Sequence, residues 1–336
     1  MNQEIDFVLT YLDGNDIEWQ KEKNRFSPGG TSDVNPNRYR DWDNLRYFFR
    51  AIERFAPWVR KVHIVTWGHI PSWLNADHPK IHIVNHKDYI PEDWLPTFSS
   101  RCIDMNLHRI PGLSERFVYF NDDTFLTAPV KEEDFFKNGL PCDAAVLSAQ
   151  AFILSDSVKM YFAPYVDTGV INKYFNIKKV IRANPGKWFN LKYGKELFRT
   201  LTMLPYPHFI CFRNFHLPCA YLKKTYETVW EKEPELLATV SSHKFREIAD
   251  LNHYLFTYWQ YVTGTFTPRS VRVGKCFQIH TMKEAQSAAQ AIRKQSYMMV
   301  CLNDALNQDT EADGVIRCVN QALQEIMPER CSFEKE

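Results

Sequence analysis

Two adjacent carboxylates, Asp122 and Asp123, close the run Arg116-Phe-Val-Tyr-Phe-Asn-Asp-Asp123. The residues before them read as a buried strand. In an open α/β sheet, ligands gather beyond the carboxyl ends of strands. A carboxylate pair there suits a hard divalent cation, Mg²⁺ or Mn²⁺, which commonly also holds phosphate oxygens. Asp122 and Asp123 are therefore candidate metal ligands for a nucleotide or phosphate. An isolated Asn-Asp-Asp is more often a polar turn, so the weight falls on what accompanies it.

Several other groups have chemical potential. Asp6, Asp13 and Asp16 flank the end of a first apolar segment, Ile5 to Leu12, where nucleotide contacts compete with an ordinary Asp-Gly-Asn-Asp turn. Arg38, Arg40, Arg46 and Arg50 are crowded together, and guanidinium forks bind phosphate bidentately. Arg46 and Arg50 lie one helical turn apart, so a solvated face paired with Asp43 is an equal alternative. His216, in Phe215-His-Leu-Pro218, is one of eleven histidines, the side chain that most often takes a hydroxyl proton. Asp304 ends a second strand-like Cys301-Leu-Asn-Asp304, as a metal ligand or a helix cap. The following Asp309-x-Glu311-x-Asp313-Gly314 resembles a calcium loop, but Asn320 occupies the place of its bidentate Glu, which excludes that motif.

The elements that must hold these groups alternate. Strands are expected at Ile5–Leu12, Val62–Thr66, Ile81–Val84 and Phe117–Phe120. A long polar loop is expected over 21–42. A helix from Asp43 buries Leu45, Phe48, Phe49, Ile52 and Phe55 and stops at Pro57. Ser99 or Ser100 caps a further helix. This is an α/β fold, a Rossmann-like, mostly parallel sheet flanked by helices, with a helix-rich second half. Helices are expected near 155–162, 171–182, 192–201, 219–232 and 249–263, then strands near 275–280 and 297–302, which complete the sheet. A last helix carries Val315, Val319, Ala322, Leu323 and Ile326. The 336 residues are read as a single domain: an α/β half (1–148), a helix-rich segment (149–296) and a returning strand and helix (297–336).

Composition narrows the class. Apolar residues make up 45 %, enough for a large core, and 41 basic against 40 acidic side chains argue against a nucleic-acid binder. Met1-Asn-Gln-Glu-Ile-Asp6 lacks the charge and apolarity of a signal peptide, and no apolar run is long enough to span a bilayer. The eight scattered cysteines contain no CxxC pair, suggest neither a zinc site nor a disulfide scaffold, and are expected to be reduced and mostly buried in a cytoplasmic protein.

Taken together, the motifs resemble the Stealth family, bacterial capsular-polysaccharide phosphotransferases similar to the catalytic subunit of the animal lysosomal-enzyme GlcNAc-1-phosphotransferase. Four blocks carry the resemblance. The first is Asp6-Phe-Val-Leu-Thr-Tyr-Leu-Asp-Gly-Asn-Asp16. The second and most specific runs from Arg38 to about Gly139, through Asn44-Leu-Arg-Tyr47, Ile64-Val-Thr-Trp-Gly68, Leu95-Pro-Thr-Phe-Ser-Ser100 and Asn121-Asp-Asp123. Phe215-His-Leu-Pro218 with Lys244-Phe-Arg246 forms the third, and Cys301-Leu-Asn-Asp304 with Ser332-Phe-Glu334 the fourth. The chain lacks the large insertions of the animal enzyme, which fits a glycan acceptor. Its ending, Met327-Pro-Glu-Arg-Cys-Ser, departs from the usual Phe-Pro-x-Pro-Ser.

The resemblance implies transfer of a sugar-1-phosphate from a UDP-sugar to a hydroxyl of a glycan or polysaccharide acceptor, with release of UMP. It places the functional positions on Asp122 or Asp123, His216, Arg246 and Asp304. In that scheme Asp123, with Asp122 and Asp304, holds Mg²⁺ or Mn²⁺ against the donor. His216 takes the acceptor proton, while Arg246, joined by Arg38 or Arg46, neutralises the transferring phosphoryl group. Thr10, Tyr11 and Thr66 line the nucleoside pocket, and Ser99 and Ser100 offer a phosphate contact. Capsule synthesis also implies peripheral association with a membrane-bound polysaccharide assembly complex at the inner face of the cytoplasmic membrane. The competing enzyme class is a metal-dependent glycosyltransferase releasing UDP. The competing non-enzyme is a glycan-binding module or scaffold whose tryptophans stack on sugars.

Overall fold

The computed structural model describes residues 4–27, 40–151, 158–307 and 310–335, so Arg38, Asp309 and the start of the expected 155–162 helix lie outside the described residues. β1 (Ile5–Thr10), β2 (Val62–Thr66), β3 (Ile81–Asn85) and β4 (Arg116–Phe120) are parallel and stand in the spatial order β3-β2-β1-β4. After β4 the chain turns at Asn121–Asp123 and leaves this sheet as β5 (Thr124–Leu126). β6 (Phe136–Lys137) and β7 (Leu140–Asp143) pair antiparallel. β8 (Cys219–Leu222) covers the free edge of β4, antiparallel to it, and β9 (Thr267–Pro268) joins β7. β10 (Gly274–Ile279) and β11 (Met299–Asp304) are parallel to each other, and β11 receives β5. The last two strands thus form a second sheet with β5 and do not extend the first.

Strand periodicity divides the core in two. Successive side chains of a strand point to opposite faces. Phe7, Leu9, Val118 and Phe120 enter one core with Phe48, Phe49 and Ile52 of the helix Leu45–Phe55. Val8, Phe117 and Tyr119 enter the other, with Cys102, Met105 and Tyr258. Because both faces are covered, these strands read as continuous apolar runs.

Some expected elements shift for local reasons. A helix, Ile17–Phe26, reaches into the expected loop 21–42, because Asp16 accepts hydrogen bonds from the N–H groups of Glu18 and Trp19. Only Trp19 of that helix is buried, so its apolar periodicity is faint. The expected helix 219–232 begins as β8 and turns helical only at Lys223. The expected helix 249–263 starts at Tyr254, leaving Arg246 on a loop. One helix runs over Val158–Tyr174, and a second over Ile177–Ala183 is capped by Asn176. Residues 191–203 form a 3₁₀ segment, Leu191–Glu196, followed by a short helix, Leu197–Met203. Further helices went unforeseen, among them Pro234–Ser242 and Met282–Arg293, the latter opened by a Thr281–Glu284 capping box.

The chain end closes on the first half. Arg50 donates to both carboxylate oxygens of Glu334, at 2.7 and 3.0 Å, and to the carbonyl of Met327, in a buried pair. Arg50 is therefore a structural clamp and not a phosphate ligand. All eight cysteines are free thiols and six are buried. Among the described residues no helix is long and apolar enough to cross a membrane.

Candidate active site

Strand order reverses at β1, with β2 and β3 on one side and β4 on the other. At such a switch point the loops after the two strands part and open a crevice. Tyr11 and Asp13 follow β1, and Asn121, Asp122 and Asp123 follow β4. The Tyr11 hydroxyl is shifted upward by burial and then by the charges of Asp13, Asp41 and Asp122, so these groups converge. Burial of its carboxyl and the charge of Asp123 raise the pKa of Asp122, although the residue as a whole is exposed. Oδ1 of Asp123 is buried and has no hydrogen-bond partner among the described residues. An unpaired buried carboxylate oxygen is costly unless a cation meets it. Oxygen donors on adjacent residues, close to Asp41, make a set that suits Mg²⁺ or Mn²⁺.

His216 enters from the loop before β8, at a backbone φ of +51° that few residues with a Cβ adopt. Its Nε2 lies 3.4 Å from Asn121 Nδ2 and 3.9 Å from Asp123 Oδ2. Its Nδ1 faces Cys276 Sγ at 3.8 Å and Cys301 Sγ at 3.6 Å. Burial works to lower its pKa, but the Cys276 hydrogen bond and the charge of Asp123 overcome it and lift the ring to about 9. Behind Asn121 runs a relay. The Tyr119 hydroxyl lies 2.7 Å from Asn121 Oδ1, 2.9 Å from Asp104 Oδ1 and 3.3 Å from Thr10 Oγ1. Burial raises Asp104 to about 7, against the Tyr119 hydrogen bond and Arg246. A protonated Asp104 can donate to Tyr119, leaving the phenol free to donate to Asn121.

Arg246 lies on the same side. Its Nη2 donates to Ser100 Oγ at 2.5 Å, and its charge acts on Asp104. Its loop is held rigidly: Arg101 donates to the Glu247 carbonyl at 2.6 Å, and buried Asp250 accepts from His243 at 2.7 Å and from the Glu247 N–H. Ser99 stands at the N-cap position of the helix Ser100–Met105, buried and without a side-chain capping bond.

Other expected residues take different places. Asp304 accepts from Arg40 Nη1 at 2.7 and 3.0 Å and from Trp42 Nε1 at 2.9 Å. A carboxylate neutralised by a guanidinium is a poor metal ligand, so its visible work is to hold Arg40. Asp6 sits at the opposite, amino end of β1, wholly buried, where it accepts from Arg60, His63 and the Ser114 N–H. It closes the frame at the end of the sheet opposite the crevice. Arg46 pairs with Asp43 at 3.2 Å and lies over the Trp73 ring. The Thr66 hydroxyl donates to the His69 carbonyl, and His69 Nε2 accepts from the Asp13 N–H at 2.8 Å. An open groove of about 770 Å³ extends from there past Trp67, His86, Lys87 and Thr97.

Sequence reasoning missed Asp41, Asp104, Asn121 as a partner of His216, Cys276, and the Arg40–Asp304 pair. Only the coincidence of Asn-Asp at the ends of both β4 and β11 hinted at the last.

A family model, Stealth protein CR2, conserved region 2, matches residues 38–142. Over almost the whole length the chain is also similar to curated proteins. A capsular polysaccharide phosphotransferase of Streptococcus pneumoniae is 38 % identical, covering 99 % of this chain and 98 % of that one. A receptor polysaccharide phosphotransferase of Streptococcus gordonii is 38 % identical over 99 % and 100 %. An exopolysaccharide phosphotransferase of Lactiplantibacillus plantarum is 36 % identical over 99 % and 96 %.

Proposed function

The chain belongs to the Stealth family of polysaccharide phosphotransferases, and from that premise we propose that it transfers a hexose- or HexNAc-1-phosphate from a UDP-sugar to a hydroxyl of a glycan acceptor. It is a transferase of polysaccharide synthesis. The observation that carries the finer reading is the unpaired, buried Oδ1 of Asp123, whose other oxygen, Oδ2, lies 3.9 Å from His216 Nε2, at the switch point of the sheet.

Asp123, Asp122 and the nearby Asp41 would supply the oxygens for Mg²⁺ or Mn²⁺, which would neutralise charge on the donor diphosphate and the departing phosphate. The acceptor oxygen attacks the β-phosphorus of the donor, the bond to the bridging oxygen breaks, and UMP leaves. His216 Nε2 takes the hydroxyl proton. Asp123 is one of the charges that hold a proton on this ring, and a cation on Asp123 would weaken that hold. Asn121, fixed by Tyr119, orients the ring. Arg246, seated on Ser100, and Arg40, held by Asp304, are the guanidinium groups for the transferring phosphoryl oxygens. Tyr11, Thr10, Asp13 and the groove past Trp67 accommodate the nucleoside.

Peripheral contact with a bilayer is part of this proposal. Residues 177–213 carry eight Lys or Arg against one Glu, although the whole chain has a net charge of only +1. Leu191 and Phe198 in that stretch are 89 % and 72 % exposed. Basic residues around exposed apolar side chains are the composition of an interfacial segment.

The test is the fate of the donor's β-phosphorus. A ³¹P spectrum of the glycan product containing a phosphodiester signal derived from the donor supports the proposal. A product carrying the sugar without phosphorus overturns it in favour of glycosyl transfer with UDP release.

A further inference from the structure

β10 and β11 pair in a register that sets Cys276 directly opposite Cys301. Their Sγ atoms are 3.4 Å apart, and the positive-φ turn at His216 brings Nδ1 to 3.8 Å from one sulfur and 3.6 Å from the other. Three soft donors from three separate chain segments thus close a triangle. Nothing in the phosphoryl-transfer scheme requires the two thiols.

The dimensions of the triangle are informative. A tetrahedral ion with bonds of about 2.3 Å to sulfur and 2.0–2.1 Å to nitrogen has sulfur–sulfur edges of about 3.8 Å and sulfur–nitrogen edges of about 3.5 Å. All three distances fall within about 0.4 Å of these edges. Thiolate and imidazole ligands select zinc-class ions over Mg²⁺ or Mn²⁺, which prefer oxygen. The donors are not sealed off, since Cys276 is only partly buried and the His216 side chain is 35 % exposed. Asp123 Oδ2 lies 3.2 Å from Cys301 Sγ, close to this group of donors.

We propose that Cys276, Cys301 and His216 Nδ1 form a binding site for a zinc-class divalent cation, separate in ligand chemistry from the carboxylate site. Both thiols give up their protons on binding, and the neutral imidazole supplies the nitrogen lone pair. A ring bound through Nδ1 keeps its remaining proton on Nε2. It then cannot accept the acceptor's proton, so the ion blocks turnover. That consequence rests on the His216 assignment above, whereas ion binding does not.

The test uses the full-length protein, reduced with a phosphine and stripped of metal, with Zn²⁺ and Co²⁺ alone as probes. Wild type retains one Zn²⁺ per chain through gel filtration, and the Co²⁺ form shows a sulfur-to-metal charge-transfer band. Cys276→Ser, whose fold is checked by far-UV circular dichroism and melting, loses both. Cys301 lies in the core, so Cys276→Ser and Cys276→Ala decide if Cys301→Ser fails to fold. No retained ion in reduced wild type, or retention unaltered in the Cys276 variants, overturns the site. Zinc bound with the sulfur signature and unchanged turnover supports the ion site and removes His216 as the base.

Discussion

Asn121 holds its Nδ2 3.4 Å from Nε2 of His216, while its Oδ1 faces the Tyr119 hydroxyl at 2.7 Å. The amide is thus fixed from behind before it meets the imidazole. His216→Ala is expected to lower turnover by about 10²–10⁴-fold, the usual cost of losing a placed base. Asn121→Ala is expected to lower it less and to leave the donor KM nearly unchanged, since the ring remains but is no longer oriented. Steady-state rates measure both. A His216→Ala enzyme retaining more than about a tenth of wild-type turnover contradicts the base assignment.

Asp123 has a buried oxygen without a partner and Asp122 has an exposed outer surface. Asp123→Asn is therefore expected to remove activation by Mg²⁺ or Mn²⁺ and to reduce kcat by at least about 10²-fold, as does loss of a group that stabilises transition-state charge. Asp122→Asn is expected to shift the metal concentration for half-activation with a smaller loss in kcat. Metal titrations of the rate separate the two; equal effects would contradict the unequal roles.

Asp304 and Arg40 act as a unit. If Asp304 works by holding Arg40, the double variant Arg40→Ala/Asp304→Asn loses little more than either single one. The coupling energy from a double-mutant cycle on kcat/KM is expected at about 0.5–3 kcal/mol, the range for directly paired residues. Additive losses would return Asp304 to an independent role.

Much of this arrangement was legible in the chain, and what was not has a physical cause. The strands β1 to β4 announce themselves because both faces are buried, and Asp122 and Asp123 follow from the end of β4. Asp6, Arg50 and Glu334 belong to recognisable motifs, yet their work is scaffold: no local pattern reveals that Arg50 meets Glu334 across 284 positions. Asp304 likewise looks like Asp123, each ending a run with Asn-Asp. Only the arrival of Arg40 and Trp42, remote in sequence, tells them apart. Cys276 was invisible because cross-strand register depends on how β10 and β11 align, which their sequences do not state.

Asp6 gives a stability prediction independent of catalysis. Burial opposes its ionisation, but hydrogen bonds from His63, Arg60 and Ser114 prevail and hold its pKa at about 2, below the 3.8 of a free carboxyl. A depressed folded-state pKa stabilises above the unfolded value and loses that stabilisation as pH falls through the folded one. Asp6 therefore contributes about 2 kcal/mol above about pH 4, lost progressively toward pH 2. Denaturant unfolding between these pH values is expected to show this loss in wild type and not in Asp6→Asn. The variant's donor KM, corrected for folded fraction, is expected to match wild type, because Asp6 lies at the far end of β1.

The basic, apolar stretch predicts binding to vesicles. Co-sedimentation with phosphatidylglycerol vesicles, and not with phosphatidylcholine, is expected at low salt. Lys195→Glu is expected to weaken it by about fivefold or more, since each basic residue at an anionic surface is worth about 1 kcal/mol. Leu191→Ser/Phe198→Ser should weaken it further, without changing turnover on a soluble acceptor. Equal binding to both lipids would contradict the assignment.

The most direct test of the central claim is identification of the nucleotide released when the purified protein meets a panel of UDP-sugars, Mg²⁺ or Mn²⁺ and a glycan acceptor. The account predicts UMP, appearing in step with acceptor consumption and absent from the Asp123→Asn enzyme. UDP in its place would mean that the sugar moves without its phosphate, and would contradict it.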